Sequence, residues 1–177
     1  MKDYLALIDR RTLGLKGMRC RDITPIFADP EAFATMLDDL QRGLPEFDLV
    51  VGVEALGFVL ASAIAVRTGK GLIPIRKAGK LPVRADAITL PEVRGQARTL
   101  ELRAGAIPPG SRLLLVDDWI KTGTQVAGAI ELLERQLGTV AAVVSLNIDE
   151  NELTRPLLAR YRFQTILRDG NLLEVAR

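Results

Sequence analysis

The sequence predicts an α/β fold built on a parallel sheet, and three observations carry that reading. Short apolar runs of strand length recur along the chain, at 48–53, 71–75, 113–116 and 140–146. Segments with helical spacing of apolar residues precede or separate them, at 30–43, 57–69 and 126–137. The runs are continuous rather than alternating, as expected of strands covered on both faces. Strand–helix alternation of this kind implies right-handed crossovers, with ligands bound beyond the carboxyl ends of the strands. A length of 177 residues without repeats or a low-complexity linker fits one domain, 1–177.

The elements follow in order. Asp29-Pro30-Glu31 is a helix start, with Asp as N-cap, Pro at the first helical position and Glu facing the dipole. The helix runs through Phe33, Met36, Leu37 and Leu40 and stops near Gly43. Asp48 to Val53 reads as a buried strand, followed by a helix from about Gly57 to Gly69 and a strand from Gly71 to Ile75. From Arg76 to Arg98 periodicity fails and Gly, Pro, Lys and Arg accumulate, so a long functional loop is expected, with a short strand at Thr99 to Leu102. Leu113 to Val116 is the clearest buried strand. Val126, Ile130, Leu133 and Leu137 mark an amphipathic helix ending at Gly138. Val140 to Leu146 is a further strand, and two short strands, 163–167 and 172–175, flank a turn at Asp169-Gly170-Asn171.

Composition narrows the chemistry. Hydrophobic residues make up 48% and charged residues 26%, ordinary globular values. No apolar run approaches the ~20 residues of a membrane span, and the first residues lack a signal-peptide core, so a cytoplasmic protein with no membrane partner is expected. With no histidine, a Ser-His-Asp or Cys-His mechanism, a histidine base and His-ligated zinc are excluded. A single cysteine, Cys20, leaves no disulfide and no thiolate cluster. Any metal is therefore a hard ion on carboxylate oxygen, such as magnesium or manganese.

Charge is unevenly spread. Nine Lys/Arg face three Asp/Glu between Arg67 and Arg103, although the whole chain carries only +2. A solvated basic surface explains this on charge alone; a polyanionic ligand is the alternative. Five Phe, two Tyr and one Trp are too few for a base-stacking platform, so no nucleic-acid partner is expected.

The strongest local signal is Leu115-Val116-Asp117-Asp118-Trp119-Ile120-Lys121-Thr122-Gly123-Thr124-Gln125. A buried strand ends in two carboxylates, a short polar loop follows, and then a helix begins. Free N–H groups and the positive dipole end at a helix start suit a phosphate, which Gly123 lets the backbone approach. Two adjacent acids would repel that phosphate, so they need another partner, either sugar hydroxyls or Mg²⁺. A ribose 5-phosphate satisfies both halves. An Asp-rich turn capping the helix would account for one acid but not for two.

Val116 to Gln125 resembles the phosphoribosyl-pyrophosphate (PRPP) motif of type I phosphoribosyltransferases. Arg21-Asp22-Ile23-Thr24-Pro25, Gly52 to Phe58 and Ile75 to Pro82 are similar to segments of the adenine phosphoribosyltransferase branch, in family order over roughly residues 14–150. The resemblance implies a parallel-sheet type I phosphoribosyltransferase core with a small hood from about 1–28 and 163–177. It implies transfer of ribose 5-phosphate from PRPP to a purine base, with release of pyrophosphate. Asp117 and Asp118 would hold the ribose hydroxyls, directly or through Mg²⁺. Lys121, Thr122, Gly123, Thr124 and Gln125 would bind the 5-phosphate. Glu54, Ala55, Leu56 and Gly57, with Arg76, Lys77 and Lys80, would serve pyrophosphate, partly across the interface of a homodimer. Cys20 and Arg21 would face the base, and Glu92 would supply a loop carboxylate.

The sequence also departs from the family's usual pattern. Thr122-Gly123-Thr124-Gln125 stands where the family usually has Thr-Gly-Gly-Thr, and Lys121 replaces a small residue. Leu56 stands where Arg is usual, and Cys20 where an aromatic is usual. Two alternatives stay open: a PRPP- or nucleotide-binding regulator of the same fold without turnover, and a phosphoribosyltransferase acting on a different base.

Overall fold

The computed structural model describes residues 3–8, 22–93, 96–169 and 171–172. The chain falls into two compact units that divide between Arg42 and Gly43. In the first, a 3-10 turn at Tyr4–Leu7 precedes two helices, α1 (Thr24–Phe27) and α2 (Pro30–Gln41). The Asp29 carboxylate caps α2 as its sequence predicts, accepting the Ala32 amide at 3.0 Å. Met36, Leu37 and Leu40 form its buried stripe, and the rings of Phe27 and Phe33 meet edge to face at 5.2 Å.

The second unit carries a sheet. Its elements are β1 (Leu49–Val53), α3 (Leu56–Thr68), β2 (Gly71–Lys77), β3 (Ala85–Val93), β4 (Gln96–Arg103), β5 (Arg112–Val116), β6 (Trp119–Ile120), α4 (Thr124–Arg135), β7 (Thr139–Ile148), α5 (Thr154–Arg160), β8 (Phe163–Arg168) and β9 (Asn171–Leu172). Strand order is β3-β4-β2-β1-β5-β7-β8-β9, with β6 beside the end of β7. The run β2-β1-β5-β7-β8 is parallel, as the continuous apolar runs require, and Val50, Val51, Leu113, Leu114, Leu115 and Val143 are all fully buried in it. Gly69 ends α3 in the left-handed conformation, at φ +65°. Among the described residues no helix is long and apolar enough to cross a membrane.

The expected loop of 76–98 is corrected. Most of it is the antiparallel hairpin of β3 and β4, joined to the parallel sheet where Arg76 pairs with Glu101 and Lys77 with Leu100. Ile88, Leu90, Leu100 and Leu102 give it an apolar face in the same core as Val126, Ala129 and Ile130 of α4. Gly128 of α4 lies against this hairpin, where an added β-carbon would crowd the tip of the Leu90 side chain. The first unit runs past residue 28 to include α2, and β8 is a parallel neighbour of β7.

Gly52 lies in β1 under α3, where an added β-carbon would meet Ala61 Cβ at 2.8 Å and the Gly57 carbonyl at 3.1 Å. Neither neighbour is a flexible side-chain tip. Gly52→Ala is expected to lower the unfolding free energy by about 1–3 kcal/mol in urea melts.

Candidate active site

Three strand ends converge. Gly52 of β1 is in register with Val116 of β5, and Val53 with Ile75 of β2, so the segments after β1, β2 and β5 leave the sheet side by side. This is the carboxyl edge where an open α/β sheet binds ligands.

After β5 the backbone stays in the ladder. The Asp117 amide donates to the Val144 carbonyl at 3.0 Å, and the Asp118 carbonyl accepts from Leu146 at 3.0 Å. Asp117 is only 3% exposed. Its Oδ1 accepts the Asp118 amide at 3.0 Å and its Oδ2 accepts Gln125 Nε2 at 3.0 Å. Burial, then the charge of Asp118, push the Asp117 carboxyl well above its ordinary 3.8. Asp118 is half-buried at the mouth of the same turn. Two carboxylates thus crowd one turn, with neutral amides rather than a cation donating to Asp117.

The loop that follows reads as expected in its backbone. Gly123 adopts φ +78° as the residue before α4 and has no side chain to cap that helix. Thr122 Oγ1 donates to Thr124 Oγ1 at 3.1 Å and accepts the Thr124 amide at 3.4 Å, so the loop's own hydroxyl takes the first amide of the helix. Lys121 and Thr122 are exposed. Gln125 differs from the expectation: its amide is turned onto Asp117.

Two cations at and beyond the end of β2, Arg76 and Lys80, gather on Glu54. This carboxylate is 9% exposed and accepts the Lys77 amide at 3.1 Å and the Lys80 ammonium. Arg76 Nε lies 3.7 Å from it, while Arg76 Nη1 donates to the Lys80 carbonyl at 3.0 Å. Burial opposes the charge of Glu54, but the Lys80 hydrogen bond, the Lys77 amide and the nearby cations outweigh it and hold the carboxyl below its ordinary value. The Glu54–Ala55 peptide is cis, Ala55 is exposed, and Leu56 opens α3 half-buried. Gly57 brings this segment against the acids, since a β-carbon on it would lie 2.9 Å from the Val116 carbonyl and 3.3 Å from Asp117 Oδ1. Thus Gly57 adjoins Asp117, and Glu54, three residues before it, gathers Arg76, Lys80 and the Lys77 amide. The backbone of Glu92 lies in β3, its side chain outside the described residues; Cys20 and Arg21 also lie outside them.

Two residues escaped the sequence reading. Asn151 Nδ2 donates to the Lys121 carbonyl at 2.7 Å, and its Oδ1 caps α5 by accepting the Leu153 and Thr154 amides at 2.9 and 3.2 Å. Fully buried Thr154 places its methyl against Gly123, 2.8 Å from where a β-carbon would stand. Asn151-x-x-Thr154 ahead of Leu157 and Leu158 was a legible helix-start signal.

A model of the phosphoribosyl transferase domain matches residues 33–166. The chain belongs to the phosphoribosyl transferase family. It is 43% identical over 148 residues to the adenine phosphoribosyltransferase of Thermobifida fusca, covering 80% of this chain and 84% of that one. The adenine phosphoribosyltransferase structure from Rhodothermus marinus superposes with a TM-score of 0.83 at 31% identity, covering 93% of this chain and 98% of that one. That of Giardia lamblia, complexed with 9-deazaadenine, gives 0.81 at 28%, covering 94% and 96%. The fold is that of the type I phosphoribosyltransferases, and the chain is a phosphoribosyltransferase.

A carboxyl raised by burial stabilises the folded enzyme below its unfolded value and loses that contribution as pH rises through the raised one. Stability is therefore expected to fall as pH climbs above about 4 from this group, and Asp117→Asn to flatten that slope in thermal melts across pH. Asn151→Ala should speed amide exchange at Thr122–Gln125 about fivefold, while β5 and β7 keep their protection, the loss of one hydrogen bond of ~1 kcal/mol.

Proposed function

We propose that this phosphoribosyltransferase joins adenine to the ribose 5-phosphate of PRPP, giving the nucleotide and pyrophosphate. The observation that carries the reading is buried Asp117 with half-buried Asp118, flanked by the helix start at Thr124 and by a segment that holds the Arg76 and Lys80 cations on Glu54. One ligand with a phosphate at one end, hydroxyls in the middle and a pyrophosphate at the other matches those three parts in sequence. The choice of adenine rests on the relatives' names and on the 9-deazaadenine bound by the Giardia enzyme.

In this mechanism the loop Lys121–Gln125 fixes the 5-phosphate through backbone N–H groups, hydroxyls and the Lys121 charge. Asp117 and Asp118 accept hydrogen bonds from the ribose hydroxyls and orient the ring. A ring nitrogen of the base attacks the anomeric carbon as the bond to pyrophosphate breaks. Arg76 and Lys80, held on Glu54, and Lys77 stabilise the negative charge that accumulates on the leaving group. Ala55, Leu56 and Gly57 offer it backbone rather than charge. Glu92, in β3, takes the part of the loop carboxylate, and Cys20 and Arg21 that of the base contacts.

Magnesium belongs to the same reading. Among the described residues no cluster of three or more His, Cys, Asp or Glu forms a cage. Two carboxylates short of a cation fit an ion completed by substrate oxygens, the usual arrangement for Mg²⁺. Asp117 and Asp118 would hold it. Bound there, it would offset the negative charge of the pyrophosphate group. A homodimer and a cytoplasmic setting complete the proposal.

Millimolar PRPP with Mg²⁺ should raise the melting temperature, and adenine should then release pyrophosphate where other nucleobases release far less. Asp118→Asn should cut PRPP affinity tenfold to a hundredfold without loss of folding stability, since a charged hydrogen bond contributes about 1.5–3 kcal/mol. An unmoved melting temperature, or a variant that binds PRPP normally, would refute the assignment.

A further inference from the structure

A second basic site lies at the far side of the sheet from β2. A groove of about 480 Å³ opens between α5 and β8, lined by residues that include Glu150, Arg155, Leu158, Arg162, Phe163 and Arg168. None of these belongs to the candidate active site. Three guanidinium groups share it with one carboxylate. Glu150 is divided between two of them: Arg155 Nε at 3.2 Å from one oxygen, and Arg168 Nη1 at 3.9 Å from the other. The second distance is too long for a hydrogen bond. Arg168 Nε is shielded from solvent and finds no acceptor among the described residues. Arg162 donates to the Gly43 carbonyl at 2.5 Å, a neutral partner that leaves its charge uncompensated.

A surface arginine ordinarily turns its unpaired N–H groups to water. Here one is withheld from both water and carboxylate, which leaves a donor without its energetic complement. The planar guanidinium fork matches a tetrahedral dianion with two acceptors, and two or three forks around one point are a common way to bind phosphate. The groove is also the size of a small-molecule site rather than of a single ion. Half-buried Leu158 and Phe163 give it an apolar strip beside the charges.

We infer that this groove binds the phosphate group of a small organic phosphomonoester, with Arg155, Arg162 and Arg168 on the dianion and the organic part along Leu158 and Phe163. Glu150 is then the counter-ion that the ligand displaces. This assignment stands apart from the transferase reaction and does not depend on which base that reaction uses.

The test uses the full chain, with backbone amide NMR shifts to locate binding and two probes, inorganic phosphate and phenyl phosphate. Both should shift amides at 155–168 as well as those at 121–125, and phenyl phosphate should bind the 155–168 site at least fivefold tighter than inorganic phosphate. Arg168→Gln and Arg155→Gln should each weaken that site about tenfold and leave the 121–125 response and turnover unchanged. Glu150→Gln should tighten it severalfold, a gain that a merely structural ion pair would not give. Shifts confined to 121–125, equal affinity for the two probes, or groove shifts that survive both arginine substitutions would each overturn the proposal.

Discussion

The backbone of Gly57 passes so close to the end of β5 that a β-carbon there would stand 2.9 Å from the Val116 carbonyl and within 3.3 Å of the Asp117 carboxylate. The rest of the site depends on that approach. Any side chain would lift the start of α3 off the strand, separating the segment after β1 from the acids after β5. The parallel register that pairs Gly52 with Val116 brings the two strand ends level, and Gly52 itself lets α3 settle onto β1. Two glycines five residues apart thus set the distance between the two halves of the site. Their conformations are ordinary; what they provide is absent volume.

That packing also creates the electrostatic problem the site is built around. Pressing α3 against β5 removes water from Asp117, while Asp118 brings a second negative charge beside it. Ionised, such a pair costs folding energy unless a ligand or cation compensates. Gln125 meets part of the demand, donating one amide hydrogen to Asp117 Oδ2 at 3.0 Å. In the proposed reaction the substrate's hydroxyls and metal relieve the remainder. The same burial that destabilises the empty site therefore favours the filled one.

Much of this was legible in the sequence, and the failures have physical causes. Continuous apolar runs revealed the strands of the parallel sheet, since burial on both faces leaves little room for polar residues. The Asp117-Asp118 pair and the glycine-containing loop stood out because strand, acids and helix start are contiguous in the chain. The hairpin of β3 and β4 was read as a loop. Its alternation rests on only two apolar pairs, Ile88 with Leu90 and Leu100 with Leu102, Pro91 interrupts it, and a basic stretch precedes it. The role of Gln125 needed coordinates, because its partner lies eight residues away across a turn. The arginines of the α5–β8 groove were hidden by averaging. They sit in the part of the chain whose overall balance is acidic, and only folding gathers Arg155, Arg162 and Arg168 around one carboxylate.

The two departures in the phosphate-facing segments have a joint meaning. Resemblance to the family places an arginine where this chain has Leu56, and a small residue where it has Lys121. One cation is missing from the segment after β1 and one is added in the loop after β5, so the site keeps its number of positive charges while they shift along the ligand. Glu54 sharpens the shift. By holding the Lys80 ammonium and standing 3.7 Å from Arg76 Nε, it cancels one of the three charges left at the pyrophosphate end. Moving one charge along the ligand changes the relative affinity of its two ends. The proposed enzyme would therefore hold the ribose 5-phosphate end firmly and the leaving group lightly. That is a favourable bias wherever release of pyrophosphate, rather than its departure from the sugar, limits the rate.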